Sequence, residues 1–343
     1  MKILNISYAL PSKKVTNEGL IEEIVQKNKK HLSARELESL QTKIKKFFKL
    51  SGTAIRYHRN KGEKSFDFAV KAGQEAMRKA KVNPKDVDLL IYAGVGRGWV
   101  EPATANLFQS ELGLTSATCF DVLDACASWV RSMAIAKSFL SQKVYKLVMI
   151  LNCEFNFKEY VHLEMDNKNL ETSFSGLTIG EAATATLLTA NESKDDSFFS
   201  FKTWGEKHDL CKITLPNASD FCPNGGDGLK PMSFFTLPGE LLAFTIKHLV
   251  QHFSETPRLV SKVHDLVVGH AVSVATTIKV AKLLKMDPSL FFETHARFGN
   301  TVSASLPLAL AVAEKEGKLE RDMRVLLLMG SAGVSTSVAS FTY

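Results

Sequence analysis

The stretch Phe120-Asp121-Val122-Leu123-Asp124-Ala125-Cys126-Ala127-Ser128-Trp129 decides how this 343-residue chain is read. A strand-like run ends near Leu123. Beyond it Trp129, Met133, Ala136 and Leu140 recur at helical spacing. Cys126 therefore sits at or just before the first turn of a helix, between small residues. A helix N-terminus offers unpaired N–H groups and a positive partial charge. Both favour a thiolate and can receive a developing oxyanion. A cysteine in this place reads as a nucleophile; its competitor is an inert cysteine filling the core.

Working outward, short apolar strands alternate with amphipathic helices. The pattern predicts strands at 87–92, 118–123, 146–151, 182–188, 266–268 and 325–329. It predicts helices over 66–81, 103–112, 128–140, 238–253, 272–284 and 305–316. Such alternation is an α/β chain. Residues 191–232 are the weakest in pattern, and Asn224-Gly225-Gly226-Asp227-Gly228 reads as a turn. The boundary falls near Asn191, giving halves 1–190 and 191–343. Val87-Asp88-Leu89-Leu90-Ile91 and His264-Asp265-Leu266-Val267-Val268 begin their strands alike, which hints at two copies of one unit with a site between them.

A cysteine nucleophile needs a base or proton donor from elsewhere in the fold. His270 directly follows the apolar Val267-Val268-Gly269, and Asn300 follows Gly299 in a turn before the helix at 305–316. No other histidine has that strand-end setting; His295 reads as loop.

The totals exclude several classes. Of 43 Lys and Arg, 12 fall between residues 27 and 64, against Glu36, Glu38 and Glu63 there. The overall +7 is therefore one basic segment on a near-neutral body, not a nucleic-acid coat. No apolar run is long enough to span a membrane, and residues 1–14 make a poor signal peptide. Five scattered cysteines are no disulfide framework. These point to a cytoplasmic protein. Metal-ligand spacing is absent, and His248 with His252 reads as an exposed helix face. Gly94-x-Gly-x-Gly98 lacks the third glycine of a dinucleotide fingerprint, and Pro102 intrudes.

Asp124-Ala125-Cys126-Ala127, then Gly269-His270, then Gly299-Asn300-Thr301 with Ala304-Ser305-Leu306-Pro307 closely resembles the β-ketoacyl synthase III group of the thiolase superfamily. Residues 51–59, 102–113, 180–188 and 329–334 resemble further segments of that group. The resemblance implies a five-layer αβαβα thiolase fold of two similar halves, working as a homodimer. It implies that Cys126 takes an acyl group from a thioester of coenzyme A or phosphopantetheine, with no permanently bound cofactor. His270 and Asn300 would hold the second thioester as its enolate forms, and a Claisen condensation would follow. The N–H of Cys126, with one from Ala332 or Gly333, would form the oxyanion hole.

This chain departs from the group's pattern around the cofactor. Ser273 stands where an asparagine usually helps hold the pantetheine arm. The usual Trp and Arg clamp is missing near 46–50. Lys43, Lys45, Lys46, Lys49, Arg56 and Arg59 dominate there, which predicts docking of an acyl carrier protein or of coenzyme A phosphates. Residues 94–105 resemble the loop of head-to-head condensing thiolases of olefin biosynthesis. There Glu101 would reach across a dimer as base on the second acyl chain; the plainer reading is an acid near a helix start. Two alternatives stay open: a catalytically silent partner subunit, and acyl transfer to a hydroxyl or amine.

Overall fold

The structure, a computed structural model, describes residues 1–191, 196–222, 228–270 and 272–343. The turn expected at Asn224 to Gly228 falls outside the described residues except for Gly228.

Two sheets carry the molecule. The first has five strands in the order Lys2–Ala9, Ala182–Thr189, Leu147–Glu154, Leu89–Ala93, Thr118–Val122. The second has four, Leu266–Gly269, Arg324–Ser331, Ser335–Thr342, Phe198–Thr203. From opposite ends the two repeat one order. Leu147–Glu154 has a parallel neighbour in Leu89–Ala93 and an antiparallel one in Ala182–Thr189. Arg324–Ser331 stands likewise between Leu266–Gly269 and Ser335–Thr342. In place of a fifth strand the second sheet keeps a single parallel bridge, Val267 to Phe291. The matching aspartates do the same work. Asp88 accepts from the N–H groups of Lys146 and Leu147, and Asp265 from that of Arg324. Each thereby caps the start of the adjacent parallel strand.

Period-two alternation sorts the strands' side chains into layers. Leu89, Ile91, Val148 and Ile150 face inward with Val268, Val325 and Leu327 of the other sheet. Between them lie the helices Ser128–Ser141 and Ser305–Lys315, contributing Trp129, Met133, Leu306 and Leu310 to the same core. Leu90, Tyr92, Met149 and Leu151 face outward onto Ser65–Ala80 and Thr104–Glu111. Leu326, Leu328 and Val338 face outward onto Pro238–Ser254 and Val274–Leu284. Helix, sheet, paired helices, sheet, helix: these are the five layers of a thiolase fold.

A further core ties Asn17–Asn28 and Ala34–Ser51 to Leu170–Leu177, with Ile24, Ile44, Phe48 and Phe174 at its centre. Ala34–Ser51 starts on a Ser33/Glu36 capping box and ends at left-handed Gly52. It buries one apolar stripe, Leu40, Ile44 and Phe48.

The six strands and six helices expected from the pattern are all present within two or three residues at their ends. His252 corrects its expectation. It is buried, with one ring nitrogen on Ser200 Oγ and the other on Thr336 Oγ1, because the helix face it shares packs on the second sheet.

Candidate active site

The turn that carries Cys126 is built by local backbone. After the strand Thr118–Val122, Ala125 takes φ 44°, a left-handed value costly to a residue with a Cβ, and a single 3₁₀ turn spans Ala125–Ala127. Ser128 Oγ braces it, accepting from Asp124 N–H and donating to Ala125 C=O at 2.7 Å. Ser331 Oγ reaches over from the second sheet, taking Ala127 N–H and donating to Asp124 C=O.

Cys126, His270 and Asn300 all line one cavity of about 840 Å³. Its other walls are mostly apolar, with Phe174, Phe234, Ile246, Leu249 and Val280 among them. Gly269 ends its strand and leads His270 into the cavity. His270 is buried, and neither ring nitrogen has a hydrogen-bond partner among the described residues. An imidazole left this way in the apolar wall awaits a partner from the cavity. Asn300 is held through its backbone, its N–H on Thr178 C=O at 2.8 Å and its C=O on Gly180 N–H at 3.0 Å. Its Oδ1 accepts from Val302 N–H, which leaves the amide donors available. Ala332 lines the cavity beside Ser331, and Gly333, at φ 122°, follows it.

Burial dominates the protonation of the pair. It pushes the Cys126 thiol well above its usual range and lowers His270 to about 3. The helix N-terminus was expected to make Cys126 acidic; desolvation overrides it, so the resting pair is neutral thiol and neutral imidazole. Alkylation by iodoacetamide needs the thiolate. Its rate at Cys126 should therefore be lower at pH 8 than that of a free thiol, and should still climb above pH 9. A rate flat from pH 6 upward would mean a thiolate–imidazolium pair and contradict this.

The other expected site residues are placed differently. Arg56 is fully buried, its guanidinium on Asn17 Oδ1 and over the Phe48 ring. Arg59 turns inward to Glu159 at 2.7 Å and Glu181 at 3.4 Å. Neither presents its charge to a docking partner; both brace the interior. Ser273 lines the cavity, but its hydroxyl caps the helix Val274–Leu284 through Thr276 N–H. Lys43, Lys45, Lys46 and Lys49 are exposed. Only some flank the cavity mouth, marked by Phe47 and Leu50. At 100° per residue, Lys43 and Lys46 fall within about 40° of Leu50, and Lys45 and Lys49 about 140° and 100° away.

Glu101 is exposed and does not line the cavity of its own chain. Nor does it cap the next helix: Asp121 does so, accepting from Thr104 and Ala105 N–H. Two of the three glycines before it, Gly94 and Gly96, serve close packing. A Cβ at Gly94 would overlap the Glu154 carboxylate, and one at Gly96 the Cys153 carbonyl. Glu154 and Asn152 were missed in the sequence. The signal was there: both occupy inward positions of an otherwise apolar strand, where a polar side chain must have a partner. Among the described residues no group of three His, Cys, Asp or Glu could hold a metal ion, and all five cysteines are free. No helix is long and apolar enough to cross a membrane.

Fold and site together define a thiolase-fold condensing enzyme. Residues 120–205 match the family model of 3-oxoacyl-[acyl-carrier-protein] synthase III, and residues 258–343 match its C-terminal model, together half of the chain. The chain belongs to this family of acyltransferases. It is 27% identical over 289 residues to β-ketoacyl-[acyl-carrier-protein] synthase III of Clostridium tetani, covering 80% of this chain and 83% of that one. The Clostridium novyi enzyme is 24% identical over 343 residues, covering 98% and 96%. In fold it is similar to the Aquifex aeolicus synthase III, TM-score 0.81 at 24% identity over 100% and 99% of the two chains. It is equally similar to an OleA variant of Xanthomonas campestris with bound lauric acid and lauroyl-CoA, TM-score 0.84 at 20% identity over 99% and 98%.

Proposed function

We propose that this protein condenses two acyl thioesters through an acyl-Cys126 intermediate, in specialised lipid or secondary metabolism. The observation that carries the reading is the meeting of Cys126, His270 and Asn300 on one apolar-walled cavity. In the first step the Cys126 sulfur attacks the thioester carbonyl carbon. The oxyanion is received by the N–H of Cys126 and that of Ala332 or Gly333. The thiol proton leaves with the departing coenzyme A or carrier thiol. In the second step the neutral imidazole of His270 and the amide of Asn300 donate to the carbonyl of a second thioester. Its α-carbon, freed of CO₂ or of a proton, attacks the acyl-Cys126 carbonyl; the β-keto thioester departs, and the Cys126 thiolate left behind takes up the proton removed from the α-carbon or, after loss of CO₂, one from water.

How the α-carbon is freed divides two readings. A malonyl thioester loses CO₂ and needs no base. A plain acyl thioester needs a base, and Glu101 is the candidate if a partner's loop enters this cavity. The exposed apolar Trp99, Val100 and Leu123 support a homodimer that covers this face, and Leu123 itself lines the cavity. Octanoyl-CoA offered with and without malonyl thioester separates the two by product mass. Product from octanoyl-CoA alone, lost by more than about a hundredfold in Glu101→Gln, is the expected sign of the base. Turnover unchanged in that variant would remove Glu101 from the mechanism.

Lysines at the mouth support docking of an acidic carrier or of coenzyme A phosphates. Lys43→Glu with Lys46→Glu should lower kcat/KM with a carrier-borne substrate about tenfold at low salt, and less at high salt. Lys45→Glu with Lys49→Glu should stay within about twofold, since these side chains point away from the mouth. Equal losses from both pairs would show a diffuse charge effect instead of a docking site.

A further inference from the structure

The turn that presents Cys126 has a counterpart in the second half. There Val302 takes φ 51°, a 3₁₀ turn spans Val302–Ala304, and Ser305 Oγ donates to Val302 C=O at 2.8 Å. Ala125, its turn and Ser128 show the same arrangement. In this alignment Ser303 stands where Cys126 stands. The strand registers extend it. Leu89 opposite Val148 matches Leu266 opposite Val325, so Ala93 stands for His270 and Glu154 for Ser331.

The second turn is no second active site. Ser303 is fully buried and lines no part of the cavity. Its hydroxyl donates to Glu154 Oε1 at 2.5 Å and accepts from Asn152 Nδ2 at 2.9 Å. Glu154 also accepts from Val95 N–H at 3.0 Å, Gly96 N–H at 3.1 Å and Asn156 Nδ2 at 2.5 Å. One buried carboxylate, with no Lys or Arg paired to it among the described residues, thus gathers two loops. One holds Asn300. The other runs from Gly94 to Glu101.

We propose that Glu154 is a positioning residue for condensation, which through Ser303 sets the Asn300 loop and through Val95 and Gly96 sets the glycine loop. It touches no substrate. The proposal rests on the role given to Asn300 above. Each oxygen of Glu154 faces a backbone N–H that can only donate, Val95 on Oε1 and Gly96 on Oε2, so glutamine must turn its own NH₂ against one of them whichever way it lies.

Hydrogen exchange of Glu154→Gln and of Ser303→Ala, read by mass spectrometry, tests the coupling on the protein itself. Exchange should quicken at least tenfold in segments 94–98 and 299–305 of Glu154→Gln, and in 299–305 alone of Ser303→Ala, and stay unchanged in 124–131 of both. Condensation kcat should fall more than tenfold with KM within twofold, while acylation of Cys126 stays within threefold. Glu154→Gln added to Asn300→Ala should cost no further activity, as two members of one unit behave. Unchanged exchange in both loops, or full additivity with Asn300→Ala, overturns the proposal. Ser303→Ala leaves the carboxylate in place and carries the 299–305 exchange and the kinetic readouts should Glu154→Gln fail to fold. If wild type yields no condensation product, the functional reading fails, and exchange still decides whether Glu154 holds the loops.

Discussion

Cys126→Ala should abolish the mass gain of one acyl group on incubation with acyl-CoA, and should lower condensation by about four orders of magnitude or more. The effect is this large because no other group can take over. Cys211 is the nearest rival, for it lines the same cavity. It lies on the short strand Cys211–Ile213, paired with Phe234–Thr236, so its neighbouring backbone groups are spent on a ladder. Burial lifts its thiol to about 12. Cys126 is half-buried, and it stands at a helix start, where its own N–H is the proposed oxyanion donor. In the proposed mechanism its turn supplies stabilisation of that charge in the transition state, and not a resting thiolate. Cys211→Ala should therefore keep the adduct. An adduct that survives Cys126→Ala and vanishes with Cys211→Ala would transfer the role to Cys211.

The second large effect is expected at Gly180. A Cβ there would overlap the carbonyl oxygen of Phe298, and the neighbouring Gly299, at φ 68°, would meet Arg56 Cβ at 3.1 Å if substituted. Two glycines pass each other where the bridge between Ile179 and Asn300 joins the halves. The obstructing atom is backbone, so no side-chain rotation can relieve Gly180→Ala. The segment bearing Asn300 must move. A cost of about 3 kcal/mol is expected from such overpacking. Displacing Asn300 by about an ångström should lower condensation a further hundredfold in the molecules that do fold. Thermal unfolding and product formation measure the two parts. Gly98→Ala is the control, with nothing within 4 Å of its added Cβ. A Gly180→Ala protein that melts and turns over as wild type would mean the bridge is not needed.

What could be read from the residues alone follows from packing. Leu89–Ala93 and Leu147–Glu154 are apolar on both faces because layers cover both faces, so their runs stand out. Ser335–Thr342 is just as buried and was not foreseen. Its Ser335, Thr336, Ser337 and Ser340 sit in the interior, where Thr336 satisfies its hydroxyl on His252. A hydroxyl-rich strand gives no apolar alternation to read. The strand Lys2–Ala9 was not foreseen either; Asn5 and Ser7 break its apolar run, and they bond to each other at 2.7 Å.

The site divides in the same way. Cys126, His270 and Asn300 were legible because each follows a strand or turn that ends sharply. Arg56 was misread because charge in a composition count has no direction. Only the fold shows that it lies under Phe48 while Lys43 and Lys46 stay outside. At Cys126 the helix start is visible in a sequence, and the desolvation that pushes its thiol up is not.

The repeated turn has a consequence for how such a chain could arise. Doubling a gene for one half would give two equal nucleophile turns facing two equal strand ends. Where a single cavity serves the reaction, the second turn is free of chemistry but not of architecture. Ser303 and Ala93, at the places of Cys126 and His270, are compatible with one working site. In the proposed reading the second copy is a mounting for the first, and the matched aspartates Asp88 and Asp265 are a further trace of the repeat.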